Sequence, residues 1–277
     1  MERTNHSTVG QVLIPALQSL LGETYELSRV LVLLSDSAAY MIKMGKGLST
    51  LLPNCVHITC LAHALHRLSE SIRLRFNKVD RLVATVKTVF VKAPSRRATF
   101  QELHPETKLP PEPVITRWGT WLEAVRCHTD NYEAVREVLI QFDDADAASI
   151  VHAKELFCDS ELKEQLIFIK AHFDALPDAI QKLELTSKRA QDQWCEFHKI
   201  LGTVRKHEFL VDIVQAILDR NKGLGALTPA LRKIEPELQS IVVKEDTSFY
   251  EKLSPAAVAA LQYTLITSVD VERTFSR

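Results

Sequence analysis

The sequence predicts an α/β fold that is predominantly helical. Two short apolar segments, at residues 30–35 and 55–59, have the length and composition of strands. Helix-like sequence separates them, so the two strands are expected to run parallel. From Arg117 onward, nearly all of the sequence has helical periodicity. With 277 residues, of which 46% are hydrophobic, the chain can form one large domain or two small ones.

The chain is predicted to begin with an amphipathic helix that ends near Gly22, because apolar residues before this glycine recur at helical spacing. The strand at 30–35 has no polar alternation, which is typical of a strand buried on both faces. A short helix from about Ala38 is expected to stop at the glycine-containing turn signal at 45–47. Two short strands alone leave exposed edges, so we expect either that a segment before Met1 is missing or that the strands pair elsewhere.

Helices are predicted for most of the remaining sequence. One long helix is expected from Leu61 to Lys92, and Pro94 should end it before a proline-rich loop. After Arg117, six apolar residues are mostly three, four or seven positions apart and predict one buried helix face: Trp121, Val125, Tyr132, Val135, Leu139 and Phe142. Further helices are expected near residues 147–157, 160–173, 176–185 and 188–220.

Asp36 is the first candidate functional residue, because it stands at the end of the first predicted strand and directly before a helix. In open sheets, ligands collect beyond the carboxyl ends of buried strands, so Asp36 is a candidate metal ligand. The alternative is that Asp36 only caps the helix, since Asp side chains accept hydrogen bonds from free backbone N–H groups there. Taken alone, the position of Asp36 favours the cap.

Charge is unevenly distributed along a chain whose net charge is only −1. Between Arg67 and Arg97 there are nine Lys or Arg residues and two acidic ones, so this segment is a candidate for phosphate contacts. Between Asp130 and Glu196 there are fifteen acidic and seven basic residues, and this segment is expected to repel phosphates. A pair of solvated helical faces explains both segments equally well.

Five cysteines are scattered without the spacing of a disulfide framework, which favours the cytosol or the nucleus. No apolar stretch has the length of a membrane span, and the amino terminus lacks a secretory pattern, so no membrane association is expected. His57, Cys60, His63 and His66 recur at intervals of three, an array of preferred zinc ligands. No second ligand pair follows at finger-like spacing, which favours a structural role for these residues at the strand-to-helix junction.

Four separated motifs occur along the chain: SDSAAYM at 35–41, CLAHAL at 60–65, VITRWGTWL at 114–122 and SVDVERTFS at 268–276. In this order they resemble motifs of the hAT superfamily of DNA transposases, named for hobo and Activator, and of host proteins derived from them. The resemblance covers nearly the whole chain. Each motif alone is weak, and their order makes the resemblance specific.

The resemblance implies an α/β fold of the ribonuclease-H-like type, here a partial one, with a large all-α insertion. It divides the chain into a partial catalytic region at 1–93, a helical insertion at 94–255, and a return to the catalytic region at 256–277, where the dimerisation segment begins. In such enzymes, two Asp and one Glu hold two divalent ions that activate the attacking and leaving oxygens. Asp36 would be the second Asp and Glu272 the Glu, with Mg²⁺ or Mn²⁺ as the cofactor if the site is complete, and otherwise none.

The first Asp of the resemblance has no counterpart, because too few residues precede Val9 to form its strand. The amino-terminal zinc finger of many family members is also absent. We therefore expect an inactive fragment, decayed element or domesticated remnant, truncated at both ends, that keeps nuclear DNA binding, self-association, or both. The DNA contacts are expected to be weak or non-specific.

The resemblance also suggests further DNA-binding residues and a structural motif. Arg117 and Trp118 match the family's Arg-Trp pair near the active site, where the indole can stack on a base; a core role for Trp118 is the alternative, and Trp121 is assigned to the core. Cys60 and His63 match a Cys-x-x-His motif. Charge alone adds four candidate phosphate contacts: Arg73, Arg75, Lys78 and Arg81.

Two alternatives to an inactive DNA-binding remnant stay open. A helical protein-interaction module would have lost DNA contact altogether. An active cut-and-paste transposase would require an upstream strand that carries the first Asp. Its nicking would then depend on Asp36 and Glu272.

Overall fold

A computed structural model describes residues 5–22, 27–114, 119–185, 190–231, 247–261 and 263–267. This part of the chain contains fourteen α-helices and two short strands, so the predicted, predominantly helical α/β class is confirmed. The strands are β1 (Val32–Ser35) and β2 (Val56–Thr59). The helices are α1 (His6–Leu21), α2 (Ala39–Leu48), α3 (Leu61–Arg75), α4 (Asn77–Phe90), α5 (Pro94–Leu103), α6 (Gly119–Asp130), α7 (Tyr132–Gln141), α8 (Ala148–Phe157), α9 (Ser160–Phe173), α10 (Ala175–Leu183), α11 (Ala190–Val204), α12 (Glu208–Arg220), α13 (Gly223–Leu231) and α14 (Pro255–Leu261).

The chain forms two compact units. The first unit comprises residues 1–65 and 181–277, and the second comprises residues 66–180. These units are defined by contacts between residues in the folded chain. The assignment of residues 1–93, 94–255 and 256–277 to catalytic and inserted regions stays a prediction.

The sheet of the first unit consists of β1 and β2, which run parallel with Val32 opposite Val56 and Ser35 opposite Thr59. Helix α2 connects them, as the sequence predicts. Apart from His57 in β2, apolar residues fill both strands up to their carboxyl ends, where Ser35 and Thr59 are buried polar residues. The carboxyl ends of both strands therefore lie at the same edge of the first unit's sheet, and both are polar.

The two outer edges of this sheet differ. The backbone groups of Leu31 and Ser35 bond to β2, so the alternate residues Val32 and Leu34 direct their N–H and C=O groups away from it. Within the described ranges, these outward groups have no hydrogen bond. On the opposite edge, the backbone N–H of Thr59 donates to Asn221 Oδ1 and Asn221 Nδ2 donates to the Thr59 carbonyl, both at 2.9 Å. A side-chain amide thus occupies the place of a third strand beside β2.

Helix α1 begins with a capping box, in which Asn5 Oδ1 accepts from the backbone N–H of Thr8 and Thr8 Oγ1 accepts from that of Asn5. It ends at Gly22, whose φ of +86° suits glycine, and the predicted end of this helix is confirmed. One face of α1 packs on a cluster formed by Met44, Leu48 and Leu52. The opening helix therefore covers α2 rather than standing apart from the first unit.

Helix α2 continues through Gly45 and Gly47 to Leu48, so the prediction that it stops at 45–47 is wrong. Gly45 is required by a close approach: a Cβ added there would lie 2.3 Å from His57 Nδ1. Nothing lies within 4 Å of a Cβ added at Gly47. The first glycine therefore allows helix and strand to pack closely and does not end the helix.

The predicted long helix from 61 to 92 is two helices, α3 and α4, which are separated at Phe76. Neither glycine nor proline marks this break, and Phe76 leaves the helical region with φ −110° and ψ 61°. Pro94 does not open a loop. It occupies the first turn of α5, where its missing N–H costs no hydrogen bond, and the proline-rich loop follows from His104.

In the second unit, the core is built from helices α4 to α9, with Trp121, Val125, Val135 and Leu139 buried. All six residues of the predicted helix face are buried, but they are shared between α6 and α7, so the single-helix prediction is wrong. The helices expected near 147–157, 160–173 and 176–185 are present. The segment expected as one helix at 188–220 contains two, α11 and α12.

No helix within the described residues is both long enough and apolar enough to cross a membrane.

Candidate functional site

Asp36 immediately follows β1 and lies half-buried at its carboxyl end. Its Oδ1 accepts a hydrogen bond of 3.0 Å from the backbone N–H of Ala38, the residue at which α2 begins to form. This contact is a local turn that precedes the helix: the N-cap of α2 is Ala38, which has no side-chain cap, so Asp36 does not cap α2 as the capping interpretation expects. Each carboxylate oxygen has more than one acceptor site, so the hydrogen bond does not use up the capacity of Asp36 to bind a cation.

Ser35 connects Asp36 to the second strand. The Ser35 hydroxyl donates to the Asp36 carbonyl at 2.7 Å, and its oxygen lies 2.8 Å from His57 Nε2. Since a hydroxyl has one proton, both contacts are satisfied together when His57 Nε2 carries hydrogen and donates to Ser35. Burial lowers the pKa of His57, which favours this neutral ring. The backbone at Asp36 is therefore held by a serine and a neutral histidine.

A metal site around Asp36 would need further carboxylates. Among the residues that the structure describes, no three His, Cys, Asp or Glu side chains form a group that could hold a metal ion. Glu272, the partner that the resemblance assigns, lies outside those residues. The described residues alone therefore do not fit a two-metal site, and the pairing of Asp36 with Glu272 stays a prediction.

Two members of the histidine and cysteine array are hydrogen-bonded to Ser35. His57 is hydrogen-bonded to Ser35, and Cys60 is buried with its backbone N–H bonded to the Ser35 carbonyl at 2.8 Å. His63 lies half-buried in the first turn of α3. The next backbone N–H, that of Leu61, donates to the carbonyl of Ile266 at 3.1 Å. These contacts place Cys60 and His63 at the strand-to-helix junction.

The four charged candidates for DNA contact have different environments. Arg73 pairs with Asp80 at 3.0 Å, and Lys78 pairs with Asp159 at 2.8 Å and also with Glu161. Arg75 and Arg81 are exposed, and neither has an ion pair within the described residues. Two of the four candidates are thus engaged with carboxylates, and two face solvent.

The basic and acidic segments therefore meet in the second unit. Lys78, from the basic segment, bonds to two carboxylates of the acidic segment, and these hydrogen bonds lower the pKa of Asp159 and Glu161 and raise that of Lys78. From the sequence alone, the two segments were expected to act separately on phosphates. Their pairing reduces the positive charge that the basic segment presents to DNA.

Arg117 and Trp118 lie outside the described residues, so their proposed DNA contacts stay predictions. Helix α6 begins directly afterwards at Gly119. Trp121 is 2% exposed, which confirms its assignment to the core.

Sequence reasoning missed Asn221 and two residues that surround His57, Gly45 and Gly223. Asn221 holds Thr59 from 162 positions away, and nothing in the local sequence marks this partner. A Cβ added at Gly223 would lie 2.1 Å from the His57 carbonyl oxygen. No sequence pattern marks Gly45 or Gly223 as a neighbour of His57, because each contact forms between separate elements of the fold.

No family model matches the chain, and no curated protein or solved structure matches it.

Proposed function

We propose that this chain is a hAT transposase-like protein that binds DNA and associates with itself, and that does not cleave DNA as it stands. The position of Asp36 carries the proposal. It follows the first strand of a parallel pair and precedes the connecting helix, as the resemblance requires of a metal-binding carboxylate. A ribonuclease-H-like arrangement with a helical insertion is part of the same proposal, as is location in the nucleus.

The proposed lack of cleavage follows from the small number of carboxylates that are available to bind metal ions. A two-metal mechanism needs several oxygens that converge on both ions, and one half-buried Asp cannot supply them. Manganese-dependent nicking by the purified chain, lost in Asp36→Asn, would contradict this part of the proposal.

DNA binding is proposed to use the exposed arginines Arg75 and Arg81. The measurement is the affinity for a double-stranded oligonucleotide, as a function of salt, of the Arg75→Glu and Arg81→Glu double variant. Each lost phosphate contact lowers the slope of log K against log [salt] by about 0.9, so the slope should fall by about 2. Neither arginine has an ion pair in the described part of the chain, so the melting temperature should be unchanged.

The matched control carries the same change of charge elsewhere. Arg205 and Lys206 are exposed in the first unit, and the Arg205→Glu, Lys206→Glu variant should bind DNA with the wild-type salt slope. Equal loss of affinity in both variants would reflect net charge alone. Wild-type affinity in the Arg75, Arg81 variant would refute the proposed DNA contact.

A protein-interaction module is the second candidate, and two features of the second unit favour it. Its basic segment is partly neutralised by ion pairs, and two of its apolar side chains are largely exposed: Leu74 is 67% and Ile167 53% exposed. Phe168, 36% exposed, packs on Phe76 with ring centroids 5.7 Å apart. This candidate predicts no DNA binding, and weaker self-association of an Ile167→Ser variant in sedimentation velocity experiments.

A further inference from the structure

A cavity of about 720 Å³ lies in the first unit, beside the second strand. Its walls come from helix α2, from the start of β2, and from the turn that joins α12 to α13. Lys46, Ser49, Cys55, His57, Arg220 and Lys222 line it. Small-molecule sites are typically about 300–1,000 Å³, so this cavity has the size of a binding site for a ligand larger than a single ion.

Positive charge dominates the lining. Lys46, Arg220 and Lys222 are all exposed, and none of them has an ion pair in the part of the chain that the structure describes. The single carboxylate of the lining, Asp219, instead accepts a hydrogen bond of 3.0 Å from Gln215. Three cations that have no carboxylate partner among the described residues therefore line one cavity.

This pattern differs from that of several lysines of the second unit, which pair with carboxylates. Lys78, Lys154, Lys163 and Lys170 each have an acidic partner there. Like charges that share a cavity repel one another, and an anionic ligand would relieve that repulsion. Unpaired cations also occur elsewhere, as at Arg75 and Arg81, so the distinguishing feature of this cluster is that three cations line one cavity.

The other polar groups of the lining are neutral. Burial raises the pKa of the Cys55 thiol to about 11, and His57 is a neutral ring whose Nε2 is bonded to Ser35. The hydroxyl of Ser49 completes this set. The cavity therefore offers cations for an anionic group and neutral hydrogen-bonding groups for an uncharged one.

Two glycines fix the walls on either side of His57. An added Cβ at Gly45 would lie 2.3 Å from His57 Nδ1, and one at Gly223 would lie 2.1 Å from the His57 carbonyl oxygen. Side chains at these positions would force α2 or α13 away from β2. The shape of the cavity thus depends on close backbone packing, which gives it a defined geometry before any ligand binds.

We propose that this cavity binds a phosphorylated small molecule of nucleotide size, with its phosphates on Lys46, Arg220 and Lys222. The uncharged part of the ligand would contact Ser49 and His57. This site is separate from the proposed DNA contacts at Arg75 and Arg81, and it does not depend on them.

The test is isothermal titration of the full chain with ATP, AMP and inorganic phosphate. ATP should bind more tightly than AMP, and AMP more tightly than phosphate, because both charge and contact area decrease in that order. Lys46→Glu and Lys222→Glu should each weaken ATP binding by at least about tenfold, the loss expected for one charge-assisted contact.

Lys43→Glu is the matched control, because Lys43 is exposed on the same helix but does not line the cavity. It should bind ATP as the wild type does. Absence of ATP binding by the wild-type chain, or equal weakening by Lys43→Glu and Lys46→Glu, would overturn the inference. Melting curves identify any variant that fails to fold, and Lys222→Glu provides an independent test from the opposite wall.

These experiments distinguish failure of the proposed nucleotide binding from failure of the proposed DNA binding. The Arg75, Arg81 variant should keep ATP binding, and the Lys46 variant should keep the affinity for double-stranded DNA. If a 5′-phosphorylated oligonucleotide binds through Lys46 and ATP does not, the cavity belongs to a DNA path and the small-molecule inference is wrong.

Discussion

Replacement of Asn221 by alanine should destabilise the first unit strongly. Asn221 is 3% exposed and makes two hydrogen bonds of 2.9 Å to the backbone of Thr59, which is itself buried. The alanine leaves one buried N–H and one buried C=O without partners. Each such group costs about 1–3 kcal/mol, so the free energy of unfolding should fall by about 2–6 kcal/mol. Water entry at the vacated site would place the loss at the lower end of this range.

Urea denaturation measures this loss, and amide hydrogen exchange locates it. The Thr59 N–H should exchange much faster in Asn221→Ala, because its only acceptor within the described residues is removed. Asn77→Ala is the control, since Asn77 is exposed at the start of α4 and should change stability by no more than about 0.5 kcal/mol. A loss below about 1 kcal/mol for Asn221→Ala, with unchanged exchange at Thr59, would refute the role of the amide as a strand substitute.

The remaining predictions concern one helix and one histidine. Gly45→Ala should destabilise the protein by about 1–3 kcal/mol, because the added Cβ would clash with His57. Gly47→Ala should stabilise it by about 0.5–1 kcal/mol, because nothing lies near an added Cβ there and alanine favours the helix. Thermal denaturation of the two variants tests both predictions. Burial lowers the pKa of the His128 side chain from 6.5 to about 4. Between these two pH values, His128 binds a proton in the unfolded chain but not in the folded protein, so the folded protein loses stability as the pH falls. From pH 7 to pH 5, His128 should account for a loss of about 2 kcal/mol in urea denaturation, and His128→Leu should remove that part of the pH dependence.

Local periodicity was sufficient to predict several elements. The opening helix, both strands, their parallel direction and the helices α8 and α9 follow from apolar spacing and from turn residues in the sequence. The sequence-based predictions were wrong where a residue with a strong local conformational preference makes a required contact with another element of the fold. Gly45 resembles a turn signal but sits inside a helix, because only glycine allows the approach to His57. Conversely, α3 ends at Phe76 with no local signal at all.

The candidate site was less predictable than the fold. Asp36 could be found because its position at a strand end is a local property. The ion pairs of Lys78 with Asp159 and Glu161 join segments about eighty positions apart, so charge counts could not show that the basic segment is partly neutralised. The cavity around His57 likewise combines residues at 42–57 with residues at 219–223, which are far apart in the sequence.

The two edges of the β1–β2 sheet differ in whether a further strand could pair with them. With β2 bonded to the amide of Asn221, the described part of the chain leaves β1 as the edge at which an additional strand could pair, through the outward groups of Val32 and Leu34. Adjacent strands lie about 4.8 Å apart, so a strand that joins in parallel would bring its carboxyl end next to Asp36. An acidic residue at that end would then stand beside the Asp36 carboxylate. Sheet extension and the gathering of negative charge at Asp36 would thus be one structural event, whether the strand comes from the same chain or from another molecule.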